Sequence, residues 1–205
     1  TTDKLINDLK NPDWRIRANS VYGLKNKIDS KVKLCLLDML NDENDYVWLA
    51  TVKVLKNFKE EKLVDSIIER LKNSKNDDVR SKAAYYLGEI GNKKALSVLH
   101  TSLNDKSKDV RQNVAKSLGK IGDKNSTDFL VKTLTDDDSS VRKEAIASIN
   151  LLSPSKPMSD LINSLKDKDE KVRSLAAILI GKTKTENAFN ELVNALNDKN
   201  HIVRI

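Results

Sequence analysis

Residues 77–105 read DDVRSKAAYYLGEIGNKKALSVLHTSLND. The stretch opens on acids, passes Val79-Arg80, and sets Ala83, Ala84, Leu87 and Ile90 at helical spacing. Acidic residues ahead of such an apolar stripe mark a helix start. Gly91 sits just past the stripe, where a helix commonly closes on a left-handed residue. A shorter apolar stripe follows through Ala95, Leu96, Val98, Leu99 and Leu103. One such pair of helices cannot bury its apolar faces alone, so it needs neighbours of the same kind.

The rest of the chain supplies them. A β-branched residue followed by Arg recurs at Ile16-Arg17, Val79-Arg80, Val110-Arg111, Val141-Arg142, Val172-Arg173 and Val203-Arg204, with Val47-Trp48 in the one gap. The steps from Arg17 are 31, 32, 31, 31, 31 and 31 residues. A Leu precedes the mark by eight residues at Leu9, Leu40, Leu103, Leu134, Leu165 and Leu196. In the third copy it is Leu71, one residue further back, which puts a single insertion near Asn73-Ser74. Six residues before the Arg stands an acid or its amide: Asn11, Asp42, Asp105, Asp136, Asp167, Asp198.

A period this steady signals stacked supersecondary units. The expected fold class is all-α, a right-handed α-solenoid of antiparallel helix pairs. The pairs fall at 1–27, 28–58, 59–91, 92–122, 123–153 and 154–183, with a partial seventh at 184–205. Residues 1–205 are expected to form one repeat domain of a longer chain, because no Met opens it and it stops as a second helix begins. Pro154 and Pro157 should lie at the start of the sixth pair, where a first helical turn tolerates proline.

Composition agrees. Aromatic residues make up only 4% and charged residues 33%, as thin stacked helices need small aliphatic side chains and a soluble exterior. The single cysteine, Cys35, excludes an internal disulfide. Its run Leu34-Cys35-Leu36-Leu37 marks it as a small buried apolar residue, and such usage fits a reducing, cytoplasmic compartment. No run approaches the ~20 apolar residues of a membrane helix, and no signal peptide opens the chain.

The order acid, turn, Val-Arg, paired small residues, Leu-Gly-x-Ile-Gly is clearest from Asp105 to Gly122. It resembles the HEAT-like repeat, in the short form named after phycobilisome lyases. The resemblance covers essentially the whole chain. It implies that acid and Arg form a buried ladder between units. The full pairs would be Asp105 with Arg111, Asp136 with Arg142, Asp167 with Arg173, and Asp198 with Arg204. Asn11, Trp48 and a displaced acid in copy three (Asp77 or Asp78) depart from the pattern, so the N-terminal half should stack less regularly.

The resemblance also implies that the second helices line a concave face, and helix geometry leads to the same side. At 100° per residue, positions −1, +3, +4, +7 and +10 from the Arg share the core arc, while +1, +2, +5 and +9 point away. Position +5 gives Tyr22, Lys53, Tyr85, Lys116, Ala147 and Ile178; position +2 includes Ala50, Lys82 and Leu175; position +9 includes Glu89, Lys120 and Leu151. The expected partner-binding face is therefore polar, with Tyr and Lys, in the first four copies and apolar in the last two.

A non-enzymatic scaffold binding a partner protein or peptide on that face is the expected function. The net charge of +7 raises nucleic acid as an alternative partner, on a groove built from Lys53, Lys82, Lys116 and Lys120. Against it, only eight basic residues are Arg, and six of these carry the repeat mark. Bidentate phosphate and base contacts favour Arg. A bilin lyase or isomerase subunit is the third reading, implied by the resemblance alone. No metal, cofactor or catalytic residue is expected. His100 and His201 lack an adjacent Glu, so the His-Glu iron pairs of deoxyhypusine hydroxylases have no counterpart. Trp14 and Trp48 could mimic the aromatic clefts of HEAT-like DNA glycosylases, but Trp48 holds an inward-facing position.

Overall fold

The computed structural model describes residues 1–58, 60–152, 158–183 and 189–204. Helices follow one another in pairs. These are α1 (Thr2–Asp8) with α2 (Trp14–Leu24), α3 (Ser30–Asp38) with α4 (Asp45–Leu55), and α5 (Glu61–Asn73) with α6 (Asp77–Ile90). Next come α7 (Leu96–Ser102) with α8 (Lys108–Ile121), α9 (Thr127–Thr133) with α10 (Ser139–Leu152), and α11 (Met158–Ser164) with α12 (Glu170–Thr183). A seventh first helix, α13 (Phe189–Ala195), follows. The fold is the expected right-handed α-solenoid. Pro154 and Pro157 lie outside the described residues.

Local chemistry sets these boundaries. Asp13, Asn44 and Asn76 cap α2, α4 and α6 by accepting the backbone N–H two residues on. Gly91 and Gly122 close α6 and α8 at φ 71° and 78°, a conformation that other residues adopt only with strain. Val79, Ala83, Ala84 and Leu87 are buried, as the core arc requires. The core runs as two adjoining clusters that meet on α10, where Ile149 and Leu152 join the first and Ile146 the second. Cys35 is only half-buried against the first cluster, less enclosed than its apolar run suggests.

The second helices pack closely, α2 on α4 and α6, α8, α10 and α12 in series, while successive first helices touch far less. A row with the tighter spacing takes the inner radius of the superhelix. Two glycines permit the closest approaches. A Cβ on Gly88 would stand 2.8 Å from the Ser117 Cα, and one on Gly119 would stand 3.0 Å from the Ser148 Cα. Ser117 Oγ donates to the Ala84 carbonyl at 2.7 Å across the first of these contacts. The expectation that +1 and +2 point away needs correction for this reason: Ala18, Ala50 and Ser81 are buried between neighbouring second helices.

The arginine ladder forms, but with a different pairing. Arg111 donates Nε and Nη2 to the carboxylate of Asp136, at 2.6 and 2.8 Å, and not to that of Asp105. From its own copy it takes only carbonyls, with Nη1 on Asp105 O at 2.9 Å. The Asp105 carboxylate belongs to Arg80 of the preceding copy, at 2.7 and 2.9 Å, and also accepts the Ser107 N–H. Arg142 with Asp167 and Arg173 with Asp198 repeat the arrangement. Arg204 donates to the Asp198 carbonyl at 2.7 Å. The cause is local. Each Asp side chain folds over its own turn to hold the N–H two residues on. That turn therefore offers its own Arg backbone oxygens and offers its carboxylate to the copy before.

Copy one is part of the ladder, contrary to expectation. Arg17 binds Asp42 at 2.7 and 2.9 Å and the Asn11 carbonyl at 2.8 Å. Asn11 needs no charge, because its carbonyl serves Arg17 and its Oδ1 accepts the Asp13 N–H. In copy three neither Asp77 nor Asp78 replaces the missing acid. The insertion brings Ser74 to that place, and its carbonyl accepts Arg80 Nη1 at 3.0 Å.

The break is confined to Trp48. Its ring is fully buried and its Nε1–H donates to Ser66 Oγ at 3.0 Å. Arg70, on α5, fills the electrostatic gap. Its Nη2 reaches the Asp42 carbonyl at 2.6 Å, the acceptor an Arg at position 48 would have used, and its Nη1 reaches Asp45. Its guanidinium lies 5.5 Å from the Trp48 ring centroid. Here the stacking loosens, with α4 and α6 touching much less than the other joined pairs.

Candidate partner-binding face

The expected face residues sit on the row of second helices, in differing states of exposure. Tyr22, Lys53, Glu89, Lys116, Lys120, Leu151 and Ile178 are exposed. Lys82 and Tyr85 are half-buried, and Leu175 packs partly into the second core cluster. Leu175 is thus partly committed to stability, while Leu151 is 65% exposed.

Charge and aromatic groups on this face are linked between copies. Lys53 Nζ lies 5.8 Å from the Tyr22 ring centroid, joining copy two to copy one. Lys120 Nζ lies 5.4 Å from the Tyr85 ring and also pairs with Glu89, joining copy four to copy three. Lys56 approaches Glu89 from copy two at 3.9 Å. Tyr85 and Tyr86 meet edge to face at 5.4 Å.

The electrostatic consequences follow. Its hydrogen bond to Lys120 outweighs burial and holds the Glu89 carboxyl below its ordinary range, and the same bond raises the Lys120 ammonium. Burial, with Tyr22, Tyr85 and Glu89 nearby, pushes the Tyr86 hydroxyl up.

Not every lysine is neutralised. Lys82 pairs with Asp78 at 2.5 Å on its own helix. Among the described residues, neither Lys53 nor Lys116 has a carboxylate within 4 Å. At the other end, Ile178 borders an apolar cleft of about 360 Å³ between α12 and α13, walled by Phe189, Leu192, Val193 and Leu196.

The histidines do not assemble a centre. His100 stacks on Phe129 at 3.9 Å and shares a hydrogen bond with Ser126 Oγ; burial lowers its pKa. Among the described residues no three His, Cys, Asp or Glu side chains are placed to hold a metal ion together. No described helix is long and apolar enough to cross a membrane.

Comparison with known families decides the relationship. The family model for HEAT repeats matches residues 2–85 and 64–150. The chain belongs to the HEAT repeat family. Protein YibA of Escherichia coli K12 is 33% identical over 106 residues, which are 50% of this chain and 36% of YibA. The chain thus matches about a third of that relative's length. The X-ray structure of E. coli YibA aligns at 30% identity with a TM-score of 0.64, covering 89% of this HEAT repeat chain and 71% of the other. The CpcE–CpcF complex of phycocyanin lyase from Nostoc sp. PCC7120 aligns at 20% identity and a TM-score of 0.62, over 97% of this chain and 82% of that one. A designed armadillo repeat protein aligns at 18% and 0.61, over 90% and 100%. The last two likenesses show the fold alone.

Periodicity reaches the HEAT repeat face but misses its cross-links. Arg70 stands outside the repeat register, so no spacing connects it to Trp48. Glu89 and Lys120 share position +9 in adjacent copies, and this was the available signal. Opposite charges at one register position of neighbouring stacked helices are set to pair.

Proposed function

We propose that this HEAT repeat chain is a non-enzymatic scaffold that holds a segment of a partner protein along its row of second helices. One observation supports the reading most. The exposed side chains of that row, Tyr22, Lys53, Lys116, Leu151 and Ile178, lie outside the arginine ladder and the glycine contacts that join the copies. Exposed Tyr and apolar residues in a common groove are what interfaces use, since they add contact area at little entropic cost.

Arginine usage disfavours the nucleic-acid alternative. Arg17, Arg80, Arg111, Arg142 and Arg173 each hold an Asp in two bonds, and Arg70 is engaged with Asp45 and Asp42. Few guanidinium groups are left for phosphates or bases. The lyase alternative rests only on a neighbour at 20% identity, and fold alone does not carry an activity.

Site-specific photo-crosslinking tests the scaffold reading. A photo-reactive residue at position 116 or 147 of the second-helix row should capture one discrete protein in native extract. The same residue at Asp128, on an exposed first helix, should not. Equal capture from both positions, or capture only from Asp128, refutes the assignment.

A further inference from the structure

The joint between copies two and three is built unlike the others. Among the described residues every other joint has its rung: Arg17 with Asp42, Arg80 with Asp105, Arg111 with Asp136, Arg142 with Asp167, and Arg173 with Asp198. Here both halves of the rung are missing, because Trp48 stands in place of the Arg and Ser74 in place of the Asp. The glycine contact is missing as well. Eight residues after the mark, where Gly88 and Gly119 admit the next backbone, copy two has Lys56. Copy one has Lys25 there and copy five has Asn150, but each keeps its rung. With neither device, α4 and α6 touch little.

The contacts that do cross this joint are uneven along the two helices. At their N-terminal ends, Asp45 accepts from Arg70 Nη1 at 3.1 Å and from Asn76 Nδ2 at 3.2 Å, and Arg70 also holds the Asp42 carbonyl. Nearby, Trp48 donates to Ser66 on α5. Among the described residues the C-terminal ends are joined by one ion pair, Lys56 with Glu89 at 3.9 Å, whose side chains are 32% and 26% exposed. On the first-helix row, Lys33 with Glu60 and Lys62 with Asp38 are also partly exposed pairs. One end of the α4–α6 contact is therefore fastened by several bonds, and the other by a single accessible pair.

We propose that this joint is a hinge: copies one and two swing as an arm against copies three to five, about the Asp45–Arg70 contact, with Lys56 on Glu89 as the latch. Ion pairs this accessible are weak and screened by salt, so the latch opens readily. Large motions concentrate at a few positions between bodies that are themselves well packed, and the rungs and glycine contacts make copies three to five such a body. Glu89 is fixed on its own side, since Lys120 also pairs with it, across a joint that has both rung and glycine contact. The arm carries Tyr22 and Lys53, and the body carries Tyr85 and Lys116. The hinge thus sets the distance between two halves of the inner row, and it stands whether or not that row holds a partner.

The experiment is double electron–electron resonance on the 205-residue chain carrying Cys35→Ala. Nitroxides at the exposed positions Asn19 and Lys132 straddle the joint, and nitroxides at Glu69 and Lys132 lie on one side of it. A rotation of about 10°, acting over the roughly 20 Å of two copies, moves a label by about 3–4 Å. Lys56→Glu should therefore change the mean or the width of the first distance by about 3 Å or more and leave the second alone. Lys120→Glu sets the same charge reversal against the same carboxylate at a fastened joint, and should alter neither distance. Lys56→Glu combined with Glu89→Lys should restore the starting distribution. In the chain with the latch intact, about 1 M salt shortens the screening length to about 3 Å and should widen the first distance alone. This last measurement needs no substitution at the joint, so it decides the matter even where circular dichroism shows Lys56→Glu misfolded. A first distance unchanged by salt overturns the proposal, as do equal effects of Lys56→Glu and Lys120→Glu or failure of the charge swap to restore the distribution.

Discussion

Replacing Asp136 by Asn perturbs the ladder at one rung with almost no change in shape. The Asp136 carboxylate accepts Arg111 Nε at 2.6 Å and Nη2 at 2.8 Å, and it also holds the Asp138 N–H at 2.9 Å. Both side chains are largely enclosed, at 10% exposure for Asp136 and 16% for Arg111. An Asn keeps one oxygen, as Asn11 does at the start of the chain, and so preserves the turn. Its amide group, however, presents a donor to a donor, and Arg111 keeps a charge without a counter-ion. Removing one partner of a buried pair costs about 3–5 kcal/mol. Partial exposure and the nearby Asp137 and Asp138 reduce that, so about 2–4 kcal/mol is expected here.

Urea unfolding followed by circular dichroism measures the loss, with Asp137→Asn as the exposed control. The rung joins copies four and five, so the damage should also be local. A solenoid is stabilised by nearest-neighbour interfaces, and weakening one of them should split or broaden the transition. Arg111→Met combined with Asp136→Leu should recover much of the loss, because apolar replacements leave no buried charge alone. A cost for Asp136→Asn within about 0.5 kcal/mol of the control would show that the ladder decorates the interface without holding it.

Acid should release the ladder over a defined window. Arg80, Arg111, Arg142 and Arg173 hold Asp105, Asp136, Asp167 and Asp198 below the usual carboxylate range, against burial for the first three, and Asp198 is lowered to about 2. A depressed folded pKa stabilises above the unfolded value and is lost as pH falls through the folded one, so the midpoint of urea unfolding should hold down to about pH 4 and drop towards pH 2. A midpoint independent of pH between 4 and 2 would contradict this. Gly88→Ala should destabilise by about 1–3 kcal/mol, because its Cβ would stand 2.8 Å from the Ser117 Cα. Gly181→Ala in the 205-residue chain, with no atom of the described residues within 4 Å of its Cβ, should stabilise by up to about 1 kcal/mol through helix propensity, and thermal melts read both. Ser117→Ala should cost about 1 kcal/mol by losing its bond to Ala84 O, whereas Ser148→Ala should be neutral or stabilising, since Ser148 Oγ is buried without a partner among the described residues; equal losses at the two serines would refute the distinction.

The sequence makes the repeat, its helices and its glycine stops readable, because each depends on local periodicity and on residue types with narrow conformational preferences. Val79, Ala83 and Leu87 could be placed in the core by angle alone. The ladder pairing could not. Asp105 and Arg111 are close in sequence, and nothing in their spacing shows that the carboxylate is held by its own backbone and turned towards Arg80. The identical 25-residue separation of every true rung is visible in the sequence, but only once the Asp turn is known to point backwards. Burial of the +1 and +2 small residues was hidden for a related reason. A helical wheel describes one helix, and Ala50 and Ser81 are covered by the next one.

The two kinds of basic residue divide the work of the molecule by their chemistry. A guanidinium is planar, carries five donors, and can satisfy a carboxylate and two carbonyls at once, so it suits an enclosed joint between copies. Where Trp48 removes one such group, the site does not stay empty: Arg70 arrives from the opposite helix to serve the Asp42 carbonyl. An ammonium is compact and strongly hydrated on a flexible stem, so burying it costs more and leaving it in a groove costs little. Lys53 and Lys116 accordingly stay exposed on the row of second helices, with no carboxylate within 4 Å among the described residues. Stability therefore depends on contacts that a partner need not touch, and side chains on the inner row can change without loosening the stack. For this reason Lys116→Glu is expected to alter binding and leave urea unfolding within about 0.5 kcal/mol of the starting chain, as exposed substitutions usually do. Loss of both together would mean that the groove is itself part of what holds the copies in register.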